Sequence, residues 1–376
     1  MSKVMLVGLG EVGTHILEFL VRDQRCPEIV VCDLNAEVSE KRVNNALIGA
    51  AVFRLYPKVT FKSLNLTDVD ATADLITEVN PDVIINCAVL QTWHVIRQLP
   101  KDLYEKLSSA SLGAWLPCQL GLSYKLMEAV KKSQTKAHVI NTSLSCMTNP
   151  VLAKAGLAPT IGIGNVELIE PAVRLEVSRR LNVPTDIVKI YLVAHHVWWV
   201  YPREAGYKKG PYFIKICVND KDVTKQFDTD ELLWNSIKLY PPDTEFTTVS
   251  ANSTIKNMFA LLSPNPIFTH SPSPNGLPGG YPILLSNKGA ELALPEGITK
   301  EEAIKINEDS HKIDGIDRIE DDGTVVYSEY THKILKEMLN FDHPTFKAED
   351  SLEVAFELMA KYREFASKVS ETATVK

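Results

Sequence analysis

Gly8, Gly10 and Gly13 stand in the run GLGEVG, between an apolar segment and a helix-like one. That spacing serves phosphate chemistry. The first glycine permits a tight turn, the second lets backbone approach a pyrophosphate, and the third lets a helix pack on a strand. Glu11 and Val12 open the helix, whose first N–H groups lack intrahelical partners and carry partial positive charge. Asp33 ends the next apolar run, EIVVCD, where a carboxylate accepts bonds from ribose hydroxyls. The same carboxylate repels an added 2′-phosphate, so NAD is favoured, and Lys41 and Arg42 lie near enough to leave NADP as the alternative. Asn65 follows the third apolar run and is placed to line an adenine pocket. Asn86, Cys87 and Ala88 end the fourth and are expected to approach the cofactor.

A dinucleotide of this kind delivers or takes hydride, and a carbon bearing oxygen then needs a partner for its proton. Imidazole suits that task because its ordinary pKa lies near neutrality. His195 and His196 end the apolar run DIVKIYLVA. Adjacent strand residues point to opposite faces, so one of the two faces the nicotinamide and the other packs or supports. Trp93, His94, Trp115, Trp198 and Trp199 concentrate near the same predicted loops, where they can shape an apolar or sugar-like pocket. His195, His196 and His270 lack tight ligand spacing, so no metal is expected.

The elements that must position these groups follow from periodicity. KVMLVG, EIVVCD, VTFKSL, DVIINCA and AHVINTS read as strands, with helices over EVGTHILEFLVRD, Ala36 to Leu55, DVDATADLITEV and SYKLMEAVKKS between them. Strands apolar on both faces and separated by helices predict a doubly wound parallel sheet of the Rossmann type. The second half changes character and predicts an α+β domain. It contains the helix EPAVRLEVSRRL, the histidine-bearing strand, a YFIKICV hairpin turning at Asn219-Asp220, and helices over DTDELLWNSIKLY, SANSTIKNMFALL and TKEEAIKINEDSHK. Ser263 to Gly280, rich in Pro, Gly, Ser and Asn, reads as a long stiff loop exposing His270 and Asn275, facing substrate or another subunit. Strands at PILLS, GIDRI and TVVYS, a helical region interrupted at Pro344 and a frayed SETATVK tail complete the chain. The division is thus 1–150 for the nucleotide and 151–376 for substrate and catalysis.

Composition bounds the partners. The 376 residues are 45% hydrophobic, enough for two cores, and the net charge of −7 without a basic block argues against nucleic acid. No apolar run is long enough to span a bilayer, no signal-peptide pattern opens the chain, and the six cysteines form no CxxC pair. A cytoplasmic homo-oligomer acting on a small molecule is expected.

Two resemblances join these features. VMLVGLGEVG through LNLTDVDATADLI to DVIINCA resembles the NAD(P)-binding domain of saccharopine dehydrogenase-like proteins. From about His138, the order of elements through VINTSLSCMTNP, TIGIGNVELIEPAVRLEVSRRL and DIVKIYLVAHH resembles lactate and malate dehydrogenases. The second likeness implies an Asn141 turn near the nicotinamide, His195 as proton partner, and Glu167 or Glu170 orienting its imidazolium. It also implies Arg97 or Arg174 as a bidentate clamp for a substrate carboxylate. The chain departs from that family in having Asn141-Thr142-Ser143 without its Pro, no Asp-x-x-Arg pair, and Ala194-His195-His196-Val197 in place of Gly-Glu-His-Gly. The expected activity is hydride transfer between nicotinamide and a small hydroxy acid or related alcohol or carbonyl substrate. A saccharopine-type reduction of C=N and a dinucleotide-binding protein without catalysis are the alternatives.

Overall fold

The structure, a computed structural model, describes residues 2–200, 210–240 and 246–374. Its first half alternates β1 (Lys3–Val7), α1 (Glu11–Leu20), β2 (Glu28–Asp33), α2 (Ala36–Val52), β3 (Val59–Ser63), α3 (Val69–Val79) and β4 (Val83–Asn86). Then come α4 (Lys101–Ser108), α5 (Leu116–Ser133), β5 (His138–Asn141), α6 (Ser145–Lys154) and β6 (Ile161–Gly162). The six strands form one parallel sheet in the order β3-β2-β1-β4-β5-β6. This is the doubly wound order, reversing between β1 and β4 and leaving a crevice at their carboxyl ends.

Both faces of the sheet are covered because both faces are apolar. Val4 and Leu6 enter one core with Ile16, Leu17 and Val43, whereas Met5 and Val7 enter the other with Ile76, Leu126 and Met127. Helix starts follow local chemistry. Asn35 Oδ1 accepts the Val38 N–H and Asp68 Oδ1 accepts the Ala71 N–H, capping α2 and α3.

The second half runs through α7 (Val166–Leu181), β7 (Val188–Val193), α8 (Val197–Val200), β8 (Phe213–Val218), β9 (Lys221–Asp222), α9 (Thr229–Ile237) and α10 (Thr247–Leu261). It continues with β10 (Ile267–Pro272), β11 (Gly280–Ser286), β12 (Gly289–Leu292), α11 (Lys300–Ile313), β13 (Ile316–Ile319) and β14 (Val325–Tyr327). It closes with α12 (Glu329–Leu339), β15 (Thr345–Phe346) and α13 (Ser351–Thr374). Three small antiparallel sheets result, β7-β8-β9, β10-β11-β12 and β13-β14-β15. Asn219 and Asp220 both take positive φ, 48° and 60°, as a two-residue hairpin turn of this hand requires. Among the described residues no helix is long and apolar enough to cross a membrane.

Three expectations are corrected. α7 begins at Val166 rather than Glu170, with Pro171 inside it; its first turn is buried through Glu170, and packing outweighs the one backbone bond the proline forgoes. The Ser263–Gly280 stretch is no irregular loop, for Ile267–Pro272 is a strand paired with β11. Its polar side chains are bonded internally, Ser271 Oγ donating to the Gly162 carbonyl and Ser273 Oγ to that of Ser145, both at 2.9 Å. The tail expected to fray is helical to Thr374, and Val375 and Lys376 lie outside the described residues. α13 turns back onto α5 of the first half, where Tyr362 meets Trp115 edge-on at 5.5 Å and its hydroxyl donates to the Val95 carbonyl.

Candidate active site

The turn after β1 is braced from three sides. Gly8 has φ +89°, and a Cβ there would lie 2.7 Å from the Ala88 nitrogen, so the turn rests on the residues just after β4. A Cβ on Gly13 would collide with the Gly8 carbonyl, which is why α1 can start so close to β1. At Gly10, by contrast, a Cβ would meet nothing within 4 Å. That space lies at the N-terminus of α1, where helix N–H groups favour a phosphate. On the far side, Asp33 Oδ2 accepts the Leu9 N–H at 2.6 Å and its Oδ1 accepts the Asn35 N–H at 2.9 Å. Arg42 donates to the Leu9 carbonyl, bringing a guanidinium to the same turn. These residues fit a dinucleotide. Asn65, exposed after β3, accepts the Thr67 N–H at 3.1 Å. Cys87 is buried behind the turn, and burial pushes its thiol up to about 12.

Asn86 and Asn141 are built into the interior. Each is 1% exposed. Asn86 Nδ2 donates to Asn141 Oδ1 and Ser123 Oγ, both at 3.0 Å, and Asn141 Nδ2 donates to Thr148 Oγ1 and Asn149 Oδ1. Their amides are engaged inside the fold, tying the carboxyl ends of β4 and β5 to α5 and α6.

Beyond β5 the chain makes a second tight feature. Leu144 takes φ +44°, a left-handed conformation uncommon for a bulky residue, and α6 starts immediately after it. Cys146, the second residue of α6, is 3% exposed. Its Sγ lies 2.6 Å from His196 Nδ1, and His196 Nε2 lies 2.9 Å from Asp314 Oδ2. Burial alone would push this imidazole down, but Asp314 and Cys146 outweigh it and raise its pKa to about 10. The His195 ring centroid stands 4.2 Å from that of His196 and 5.0 Å from that of His311. His195 is wholly buried, and neither ring nitrogen has a hydrogen-bond partner among the described residues. Burial, then the neighbouring His196 and His311, pushes its pKa well below the ordinary value and keeps it neutral. The donor atoms of Cys146, His195 and His196 all lie within 4.8 Å of one another.

Distant segments hold this cluster. Ala194, between β7 and the histidines, exchanges two backbone bonds with Gly280, at 3.0 and 3.3 Å. A Cβ on Gly280 would stand 2.6 Å from Val166 Cβ, so only glycine lets the two segments meet. The Cys146 carbonyl accepts the Gly279 N–H at 3.3 Å and lies 3.1 Å from His311 Nε2. Asp314 caps α11, and its carbonyl accepts the Gly113 N–H at 3.0 Å.

The other expected residues lie apart. Glu167 accepts from Ser253, Lys256, Asn257 and Thr269, and Glu170 pairs with Arg174, so the carboxylate at the imidazole is Asp314. Arg97 stacks over Trp93, 5.3 Å from its ring centroid. His270 is 2% exposed and accepts the Leu192 N–H, so its expected exposure is corrected, whereas Asn275 is exposed as expected and donates to the Ala290 carbonyl. Trp115 fills the core, Trp198 Nε1 donates to the Gly210 carbonyl, and the Trp199 side chain lies outside the described residues. Sequence reasoning missed Cys146, His311 and Asp314. Cys146 was visible as a cysteine closely following an apolar strand, whereas no local pattern marks Asp314.

Residues 4–94 match the saccharopine dehydrogenase NADP binding domain. No curated protein sequence matches the chain. The lactate dehydrogenase of Eimeria maxima, solved with NADH and oxamate, is 17% identical with a TM-score of 0.56, covering 83% of this chain and 92% of its own. The malate dehydrogenase of Plasmodium falciparum is 15% identical with a TM-score of 0.57, covering 83% and 96%. A structure of that malate dehydrogenase with NADH gives 14%, 0.56, 89% and 99%. The chain has the fold of lactate and malate dehydrogenases. Within this dehydrogenase fold, the glycine turn and the thiol–imidazole cluster both lie beyond the carboxyl ends of the parallel strands.

Proposed function

We propose that this chain is an NAD-dependent oxidoreductase moving a hydride between nicotinamide and a small substrate carbon bearing oxygen. One observation carries the reading. A glycine turn braced by Asp33 and a buried imidazole paired with Asp314 share the sheet edge where open α/β folds bind ligands. The Gly10, Glu11 and Val12 backbone would hold the pyrophosphate and Asp33 the ribose, and the bound nicotinamide supplies the hydride chemistry. His196 moves the proton, in the role first assigned to His195, and Asp314 orients it. Arg97 is the cation assigned to a substrate carboxylate. Residues 1–150 form the nucleotide half and 151–376 the substrate half, in a cytoplasmic homo-oligomer. The saccharopine match ends at residue 94, before the histidine cluster, so it bears on the nucleotide and leaves C–N chemistry without separate support.

Cofactor choice is the direct test. Fluorescence titration is expected to give NADH at least tenfold tighter binding than NADPH, a difference of about 1.4 kcal/mol. Asp33→Ser narrows that gap, and Gly10→Val removes thermal stabilisation by NADH from a folded protein. Tighter NADPH binding by the unaltered chain overturns the NAD assignment.

A further inference from the structure

Proton transfer in the proposed reaction needs an imidazole and its carboxylate. It gives no reason for a cysteine held against that imidazole, nor for a second histidine left without hydrogen-bond partners among the described residues. We propose that Cys146 is a nucleophile that adds to the carbonyl carbon of a small aldehyde, with His196–Asp314 as its base and His195 as the donor to the resulting oxygen. This rests on the oxidoreductase reading and names its substrate class.

Four features place the thiol for attack. Cys146 occupies the second position of the ten-residue helix α6, at the positive end of its dipole. Leu144, two residues earlier, holds the left-handed strand-to-helix turn, a strained conformation of the kind that clusters at reactive sites. The 2.6 Å contact between Sγ and His196 Nδ1, backed by Asp314 at 2.9 Å from Nε2, is the arrangement that activates a nucleophile. A nitrogen of His195, buried and without a hydrogen-bond partner among the described residues, lies within 4.8 Å of Sγ, in reach of an oxygen on a carbon attached to that sulfur.

The same donors suit a soft cation, and geometry chooses between the two. Zinc at its usual distances, about 2.3 Å from sulfur and 2.0–2.1 Å from nitrogen, holds tetrahedral ligands roughly 3.5 Å apart. The observed 2.6 Å is too close for a shared ion and close enough for a shared proton.

The chemistry balances. The proton shared between Cys146 and His196 rests on His196 as the sulfur forms a C–S bond, and the former carbonyl oxygen takes that proton while His195 donates to it. A bound oxidised nicotinamide would accept the hydride from that carbon, His196 would take the hydroxyl proton and later release it to solvent, and a thioester would remain. Water then breaks the C–S bond, releasing a carboxylic acid and the thiol. The near-complete burial of Cys146 restricts the aldehyde to a short chain.

Iodoacetamide labelling at pH 7, read by peptide mass spectrometry, tests the residue without cofactor. Cys146 is expected to react at least tenfold faster than buried Cys118 and to lose that advantage in His196→Gln. With NAD and aldehydes of two to six carbons, acid quenching is expected to trap an acyl mass on Cys146. Cys146→Ser removes it while the rise in melting temperature with NADH persists. The proposal is overturned if Cys146 labels no faster than Cys118, if Cys146→Ser still oxidises the aldehydes, or if the purified protein carries stoichiometric zinc that Cys146→Ser loses. If neither NADH nor NADPH raises the melting temperature, the oxidoreductase reading fails. Rapid labelling of Cys146 would then still support the nucleophile.

Discussion

At the scale of single residues, the carboxylate of Asp314 decides the state of the site. It sits wholly buried against His196, whose pKa of about 10 stands above the ordinary 6.5. A raised pKa means that the folded protein holds the proton more tightly than the unfolded chain. The stabilisation is therefore complete below about pH 6.5 and is lost as pH rises toward 10. Asp314→Asn is expected to lower stability by about 3 kcal/mol at pH 6, since it leaves a buried charge without its partner. Urea melts of parent and variant should converge as the pH approaches 10, and a pH-independent gap would contradict the pairing. The two ends of the site differed in legibility for the same reason. Gly8, Gly10, Gly13 and Asp33 form a local pattern that a sequence displays directly. Asp314 reaches His196 only through the packing of α11 and the grip of Gly113, neither of which leaves a local trace.

Among the elements, the meeting of β11 at Gly280 with Ala194, just after β7, holds the geometry of the histidine cluster. A methyl group there would stand 2.6 Å from Val166 Cβ and 2.9 Å from the Ala194 carbonyl, so α7 or the histidine strand end must move. Gly280→Ala is expected to cost about 1–3 kcal/mol through overpacking. It should also depress turnover at least tenfold while NADH affinity stays within twofold, because the glycine turn is untouched. Calorimetry and NADH titration together check this, and a variant that melts like its parent would refute it. The parallel strands were legible because burial on both faces writes continuous apolar runs. β10 was hidden because Thr269, His270 and Ser271 are polar yet buried, satisfied by partners elsewhere in the chain. The start of α7 was misplaced because Pro171 reads locally as a first-turn residue.

Across the whole molecule, His195, His270 and His311 share one property. Burial pushes each below its ordinary pKa, so each is folded in its neutral form. Groups of this kind favour the folded state fully above about pH 6.5 and progressively less below it. The unfolded chain then takes up protons that the native protein refuses. Stability is expected to fall by up to about 1.4 kcal/mol per pH unit for each histidine between pH 6 and 5. His270→Gln should flatten that slope by one group's share, as measured by urea melts across the range. An unchanged slope would remove His270 from the account. The return of α13 onto α5 has a consequence in time. The face of α5 with Gly121, where an added Cβ would stand 3.0 Å from Leu352 Cα, is synthesised well before the helix that covers it. About 220 residues separate the two helices, so at typical elongation rates that apolar face stays open for roughly ten to forty seconds in every new molecule. For that interval, something other than the protein's own fold must keep it from its neighbours.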